Sequence, residues 1–269
     1  MRINYLFFPT LLISFALFGL GRYLFRLELP KFGRIALVLL ASLVAIPGLL
    51  FVMYYFHLFD NAKWFYDFRA APLTELFAAG MGLGTGILQE WTAPDSAGHK
   101  AILPFVLSIL IFVPYMKSAL SPVDLSRLHD DCPSDVCLQS TESSCGPASA
   151  ANILKSLGMP ASERQIARDS FTSTTGTENW YLARSLSQRG LDVHVVVQQT
   201  ETWPLPSPSI AGVILRGGAG HFIAILDSDN AHVTMVDPLI GRISFSRAEL
   251  SKHYHFTDFF LVIKAKAKV

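Results

Sequence analysis

Gln139-Ser140-Thr141-Glu142-Ser143-Ser144-Cys145-Gly146-Pro147-Ala148 is the stretch that decides how this chain is read, because it sets a cysteine directly ahead of a helix start. Gly146-Pro147 opens a helix that runs through Ala151, Leu154 and Leu157 and stops at Gly158-Met159-Pro160. Proline belongs in a first turn, where its missing N–H leaves no bond unmade. A thiol at that position stands at the positive end of the helix dipole, beside free N–H groups, and both favour the thiolate. Cys145 is therefore a candidate nucleophile.

Working outward along the chain, the residues after Pro122 carry the start and stop signals of a globular domain. Ser162 with Gln165 forms a capping-box pattern ahead of Ile166 and Ala167, and Thr177-Glu178 starts a third helix that ends near Gly190. Trp180 and Tyr181 are expected to pack that helix. Short β-branched and aromatic runs follow at Leu191 to Val197, Ile210 to Leu215, Phe222 to Leu226, Val233 to Val236, Arg242 to Phe245 and Phe259 to Ile263. The Pro-rich stretch from Trp203 to Pro208 reads as an extended connector. Helices followed by an antiparallel sheet define an α+β domain.

A thiol nucleophile of this kind needs a histidine to pair with it and a carboxylate or amide to hold the imidazole. His221 stands where the Gly217-Gly218-Ala219-Gly220 turn meets a strand, and Asp237-Pro238 ends the next one. If those strands are antiparallel neighbours, the start of one lies beside the end of the other. Gln139, with five residues between it and the cysteine, offers a side-chain amide to an oxyanion. Each residue alone has an ordinary reading: a lone cysteine is a small buried hydrophobe, Asp-Pro is a turn, and Gln139 is a loop residue. The ordered set is what points to chemistry. The remaining histidines, His57, His99, His129, His194, His232, His253 and His255, have no such company and read as structural or solvated.

In that order, Gln139, Cys145-Gly146-Pro147-Ala148, His221-Phe222 and Asp237-Pro238 resemble the bacteriocin-processing cysteine peptidases of the papain-like clan, over roughly residues 130–264. The resemblance implies a papain-like fold and peptide-bond cleavage, with Cys145 as nucleophile, His221 as base and acid, Asp237 as orienting carboxylate and Gln139 as oxyanion donor. Members of that family that process peptides cut leader sequences after a double glycine and are often fused to exporter domains with an ATPase. This chain departs from the pattern in two ways. It contains no P-loop, and Ser144 stands where an acidic residue often precedes the family's cysteine.

The first 121 residues have a different grammar, with apolar residues crowded into runs. About 20 apolar helical residues cross a bilayer core. Ile3 to Gly21 and Ile35 to Phe56 are uncharged runs near that length, the second ending in Tyr54, Tyr55 and Phe56 as interfacial aromatics would. Pro47-Gly48 predicts a kink, tolerable in a membrane. The first run also has the form of a secretory signal, but Arg22, Arg26, Lys31 and Arg34 follow it like a short loop held in the cytoplasm. Leu76 to Leu88, with Gly80, Gly82, Gly84 and Gly86, suits close helix packing or a re-entrant turn, and Ala101 to Met116 contains Pro104 and Pro114. Three or four spans result, and the domains divide as 1–121, transmembrane, and 122–269, peptidase. Four spans leave the peptidase domain outside and three leave it inside. Cys132 and Cys137, with four residues between them, permit a local disulfide in an oxidising compartment.

A net charge of +1 with 16% charged residues offers no basic surface for nucleic acid. The expectation is a membrane-anchored cysteine peptidase in the bacterial cytoplasmic membrane. Its partners are a peptide or protein substrate, the lipid bilayer and a separate ABC exporter, and no cofactor or metal is implied. Two rivals stand beside it: a non-catalytic receptor that keeps only the peptide groove, and a thiol amidase or acyltransferase using the same thiolate.

Overall fold

Six strands after Gly190 pair into one antiparallel sheet: β1 (Leu191–Val197), β2 (Ser209–Ile214), β3 (Gly220–Ser228), β4 (His232–Asp237), β5 (Gly241–Ser246) and β6 (His255–Ala265), in the order β1-β6-β2-β3-β4-β5. The computed structural model describes residues 4–59, 62–92, 97–130, 132 and 135–265. Among these the chain divides into two compact units, one built from Asn61–Pro72 and Leu120–Val269, the other from Ile3–Asp60 and Leu73–Ala119.

In the first unit, period-two alternation sorts the sheet residues onto two faces, and both faces are buried. Ala211, Val213, Ile223, Ile225, Val233 and Met235 join Phe256, Phe260 and Val262 in one apolar cluster. Residues of the opposite parity, Ile210, Ala224, Val236 and Leu261, are equally buried. Burial on both sides is why these strands read as continuous apolar runs rather than as alternating ones. The helices α6 (Cys145–Ser156), α7 (Glu163–Asp169) and α8 (Asn179–Ser187) precede the sheet. Met159 N–H bonds back to Leu154 O at 2.9 Å, closing α6 through Gly158, whose φ of +68° suits glycine. Ser162 caps α7 by accepting from Gln165 N–H at 3.1 Å.

Three features depart from the sequence reading. A short helix, α9 (Arg247–His253), stands between β5 and β6, opened by a Ser246–Glu249 capping box and buried through Leu250. The 203–208 connector is bent at 203–204 and again at 207–208 rather than extended throughout, and Gln198 Nε2 holds its start by donating to Thr202 O and Pro204 O. The helix α3 (Lys63–Ala70) belongs to this unit, whereas a division at residue 121 assigns it to the membrane region. Phe65 and Tyr66 of α3 stack edge-on against Trp180 and Phe259, and the Arg69 guanidinium lies 4.6 Å from the Trp180 ring centroid. Arg184 of α8 donates to Arg69 O at 2.5 Å and to Ala70 O at 3.3 Å, so a cation caps the carbonyl end of α3.

The second unit is helical: α1 (Phe7–Arg26), α2 (Lys31–Tyr54), a 3-10 helix (Thr74–Gly80) running into α4 (Met81–Thr92), and α5 (Ala97–Leu120). α1 and α2 are each long and apolar enough to cross a membrane, and α2 continues through Pro47. The glycine run packs helices closely. A Cβ on Gly82 or Gly86 would collide with the backbone of Ser14 or Phe18 in α1, and one on Gly80 with Val44 O in α2. These small residues let helix backbones approach where side chains would hold them apart.

Candidate active site

Cys145 is the first residue of α6, nine-tenths buried and the one free thiol of the three cysteines, since Cys132 and Cys137 are joined. α6 is fixed to the sheet where it matters: Ser149 hydroxyl donates to Phe222 O at 2.9 Å, next to His221. Gly146 leaves room there, as an added Cβ would sit 3.4 Å from the Phe222 ring. His221 is the second residue of β3, Asp237 the last of β4, and the antiparallel pairing of those strands sets both at one end of the sheet. Both side chains are buried.

His221 Nε2 lies 2.9 Å from Asp237 Oδ1. With that nitrogen engaged, Nδ1 is the ring nitrogen left for Cys145, whose thiol is close enough to act on the imidazole. Burial pulls the imidazole toward neutrality, but Asp237, which accepts from it, and the neighbouring Cys145 outweigh burial and raise the His221 pKa to about 9. Burial likewise opposes the charge on Asp237, yet its bonds to His221, Leu239 N–H and Tyr254 hold its carboxyl below the usual range. The three side chains thus form a buried chain in which an imidazolium is stabilised between a sulfur and a carboxylate.

Gln139 reaches the same end of the sheet because its backbone N–H donates to Pro238 O at 2.9 Å. Its Nε2 donates one hydrogen to Thr141 O at 2.8 Å, and its buried Oε1 finds no donor among the described residues. The turn before the cysteine is held by Ser144, whose hydroxyl accepts from Thr141 N–H at 3.0 Å. An open groove of about 640 Å³ adjoins it, lined by Gln139, Thr141, Ser143, Thr174 and Leu239 among others. The four residues singled out in the sequence are therefore gathered at one edge. Among the described residues no group of three or more His, Cys, Asp or Glu side chains has the spacing of a metal site.

Three supporting residues escaped the sequence reading. Tyr254 hydroxyl donates to Asp237 Oδ2 at 2.8 Å, and burial with that carboxylate beside it holds the phenol well above its ordinary pKa, so it stays a donor. Asn152, two turns along α6 from Cys145, brackets Cys137 by accepting from its N–H and donating to its carbonyl, both at 2.8 Å. Glu163, fully buried, accepts from Ser140 N–H at 2.9 Å and His129 N–H at 3.2 Å. Nothing in local sequence announces Tyr254. The seven-residue step from Cys145 to Asn152 on one helix face is a signal that was available.

A thiol at a helix start, an imidazole from a strand and a carboxylate holding it on an α+β scaffold define a papain-like thiol peptidase domain. The sequence comparisons agree: residues 134–268 match the model of the Peptidase C39 family, and the chain belongs to that family. An uncharacterized protein of Methanothermobacter marburgensis is 32% identical over 126 residues, covering 47% of this chain and 85% of that protein. The lactococcin-G-processing and transport ATP-binding protein LagD of Lactococcus lactis is 28% identical over 133 residues, 48% of this chain but 19% of its own length. Among solved structures, the peptidase domain of Streptococcus ComA, a bi-functional ABC transporter, is similar with a TM-score of 0.43 and 19% identity, covering 49% of this chain and 98% of that domain.

Proposed function

We propose that the protein is a membrane-anchored cysteine peptidase that cleaves peptide or protein substrates through Cys145, His221, Asp237 and Gln139. The observation that carries this reading is the buried His221–Asp237 pair, 2.9 Å apart, with the buried Cys145 thiol at the start of α6 near enough to raise the imidazole pKa. A structural histidine needs neither a raised pKa nor a sulfur partner, and a passive peptide-binding groove gains nothing from the set.

In this mechanism the Cys145 thiolate attacks the scissile carbonyl, forming the C–S bond as the carbonyl π electrons move to oxygen. The second amide hydrogen of Gln139 and the free N–H groups at the start of α6 stabilise that oxyanion. His221, held as imidazolium by Asp237, gives its proton to the leaving amine as the C–N bond breaks. Neutral His221 then takes a proton from water, which adds to the thioester carbonyl and releases the acid and Cys145. Tyr254 and Leu239 N–H fix Asp237 in place, so the imidazole has one orientation. LagD is named for the processing and transport of lactococcin G, which supports a processed peptide as the substrate class here.

The test is digestion of a diverse peptide library by purified full-length protein, with new termini read by mass spectrometry. Wild type should generate a defined set of termini that Cys145→Ala does not. Binding of library peptides without any new terminus would make the protein a receptor.

A further inference from the structure

We propose that the chain crosses the membrane four times, placing its peptidase domain on the extracytoplasmic face, so that its substrate is a peptide already translocated by another polypeptide. The substrate clause rests on the peptidase reading above; the topology does not. The helical unit taken alone has two recognisable ends. At one, Asn4 Nδ2 reaches Glu75 Oε1 at 3.5 Å, and Thr10 and Tyr115 hydroxyls lie 3.3 Å apart. At the other, Glu90 receives Arg22 Nε at 2.6 Å and Arg26 Nε and Nη2 at 2.8 Å each. α1 and the Thr74–Thr92 segment therefore run parallel, with Glu75 beside the start of α1 and Glu90 beside its end.

α2 runs the opposite way. Its late residue Gly48 packs on Ala78 and Met81, and its earlier Ala45 and Ala41 lie near Gly84, Leu83 and Ile87. α5 returns: Tyr115 meets Thr10, and Lys117 lies 5.6 Å from the Tyr55 ring centroid. Tyr55, Glu75 and Lys117 consequently share one end, from which the chain departs toward α3 and later toward the peptidase unit. The 3-10 segment and α4 together span about 32 Å, and α5 about 36 Å, each enough for a hydrocarbon core of roughly 30 Å.

A second observation, internal to the peptidase unit, requires the same parity. α3 docks on Trp180, Arg184 and Phe259, so residues 62–72 and 120–265 lie on one side, and residues 73–119 must cross an even number of times. The opposite end carries Arg22, Arg26, Lys31 and Arg34 around one short α1–α2 loop, a denser basic cluster than Lys63, Arg69 and Lys117 make at the first end, and by the positive-inside rule that density favours the cytoplasm for the loop, the paired Glu90 contributing little to the bias. A Cys132–Cys137 disulfide in the peptidase unit fits the oxidising side.

The experiment uses full-length Cys145→Ala protein in the inner membrane of a bacterial host. A single cysteine is added at exposed Glu28, Asp67 or Lys252, and spheroplasts are labelled with a membrane-impermeant maleimide before and after lysis. Labelling of Asp67→Cys and Lys252→Cys in intact spheroplasts, with Glu28→Cys labelled only after lysis, supports the proposal. Opposite accessibility of positions 67 and 252 would refute the four-span parity. Protection of both with Glu28→Cys accessible would refute the orientation. Because the background lacks the thiol nucleophile, neither result depends on whether the protein is a peptidase.

Discussion

At the residue scale, the account rests on how His221 is charged. Its pKa is raised from 6.5 to about 9 by Asp237 and Cys145 against the pull of burial. Activity that needs the imidazolium as acid should therefore hold through neutral pH and fall as pH rises through about 9. Asp237→Asn removes a negative neighbour, and a neighbouring opposite charge is worth roughly 1–3 pH units. The alkaline limb of kcat/KM in that variant should move down by at least one unit. Tyr254→Phe removes only the donor on Asp237 Oδ2, so a loss of about tenfold with an unmoved limb is expected, close to ~1.4 kcal/mol. The same shifts have a stability sign. The His221 contribution is full below 6.5 and lost as pH rises through about 9, whereas that of Asp237 is present above 3.8 and lost as pH falls through its lowered value. Thermal melts of the wild-type protein should show a maximum between those windows, and in Cys145→Ser, which removes one of the two groups raising His221, the alkaline loss should begin at lower pH. The placement of Gln139, Cys145, His221 and Asp237 was legible from sequence because each marks a strand end, a helix start or a turn. Tyr254 was not, since its role depends on a chain reversal after α9 that nothing within reach of local pattern reveals.

At the scale of elements, glycine does in the helical unit what buried apolar residues do in the sheet. Gly82 and Gly86 lie one turn apart on α4 and both abut the α1 backbone. Gly82→Leu or Gly86→Leu should separate α1 from α4 and cut the yield of folded membrane protein severalfold, measured by size-exclusion monodispersity, while Gly19→Leu, whose Cβ meets nothing within 4 Å, should not. The sequence left packing and re-entry equally open for this run because composition cannot say which helix a glycine faces. Strand positions, by contrast, were legible to within a few residues, because each run is bounded by Gly, Pro, Asp or Asn. The helix α3 went unseen for a physical reason: at eight residues it is too short to show a helical period, and its stability comes from Trp180, Phe259 and Arg184, distant in sequence.

At the scale of the whole molecule, α3 changes what a soluble fragment must contain. A fragment of residues 120–265 exposes the surface that Phe65, Tyr66 and Arg69 cover, and should melt below a fusion that restores residues 62–72. Trp180→Ala in the longer form should cost about 3–5 kcal/mol and abolish that difference, read by thermal or urea denaturation. Equal stability of the two fragments would mean that α3 contributes nothing to the peptidase unit. The chain thus pairs a small C39 domain with an apolar helical unit, and the family match extends only over the first of these.

The central claim is that Cys145 is an activated nucleophile paired with His221. Its most direct test is the rate of Cys145 alkylation by iodoacetamide in purified full-length protein from pH 4 to 10, beside His221→Ala. The account predicts labelling that persists well below pH 7, is lost in Cys145→Ala, and in His221→Ala shifts toward about 8.5, the value of an ordinary thiol. Labelling of wild type that rises only near pH 8.5 and ignores the loss of His221 would contradict it.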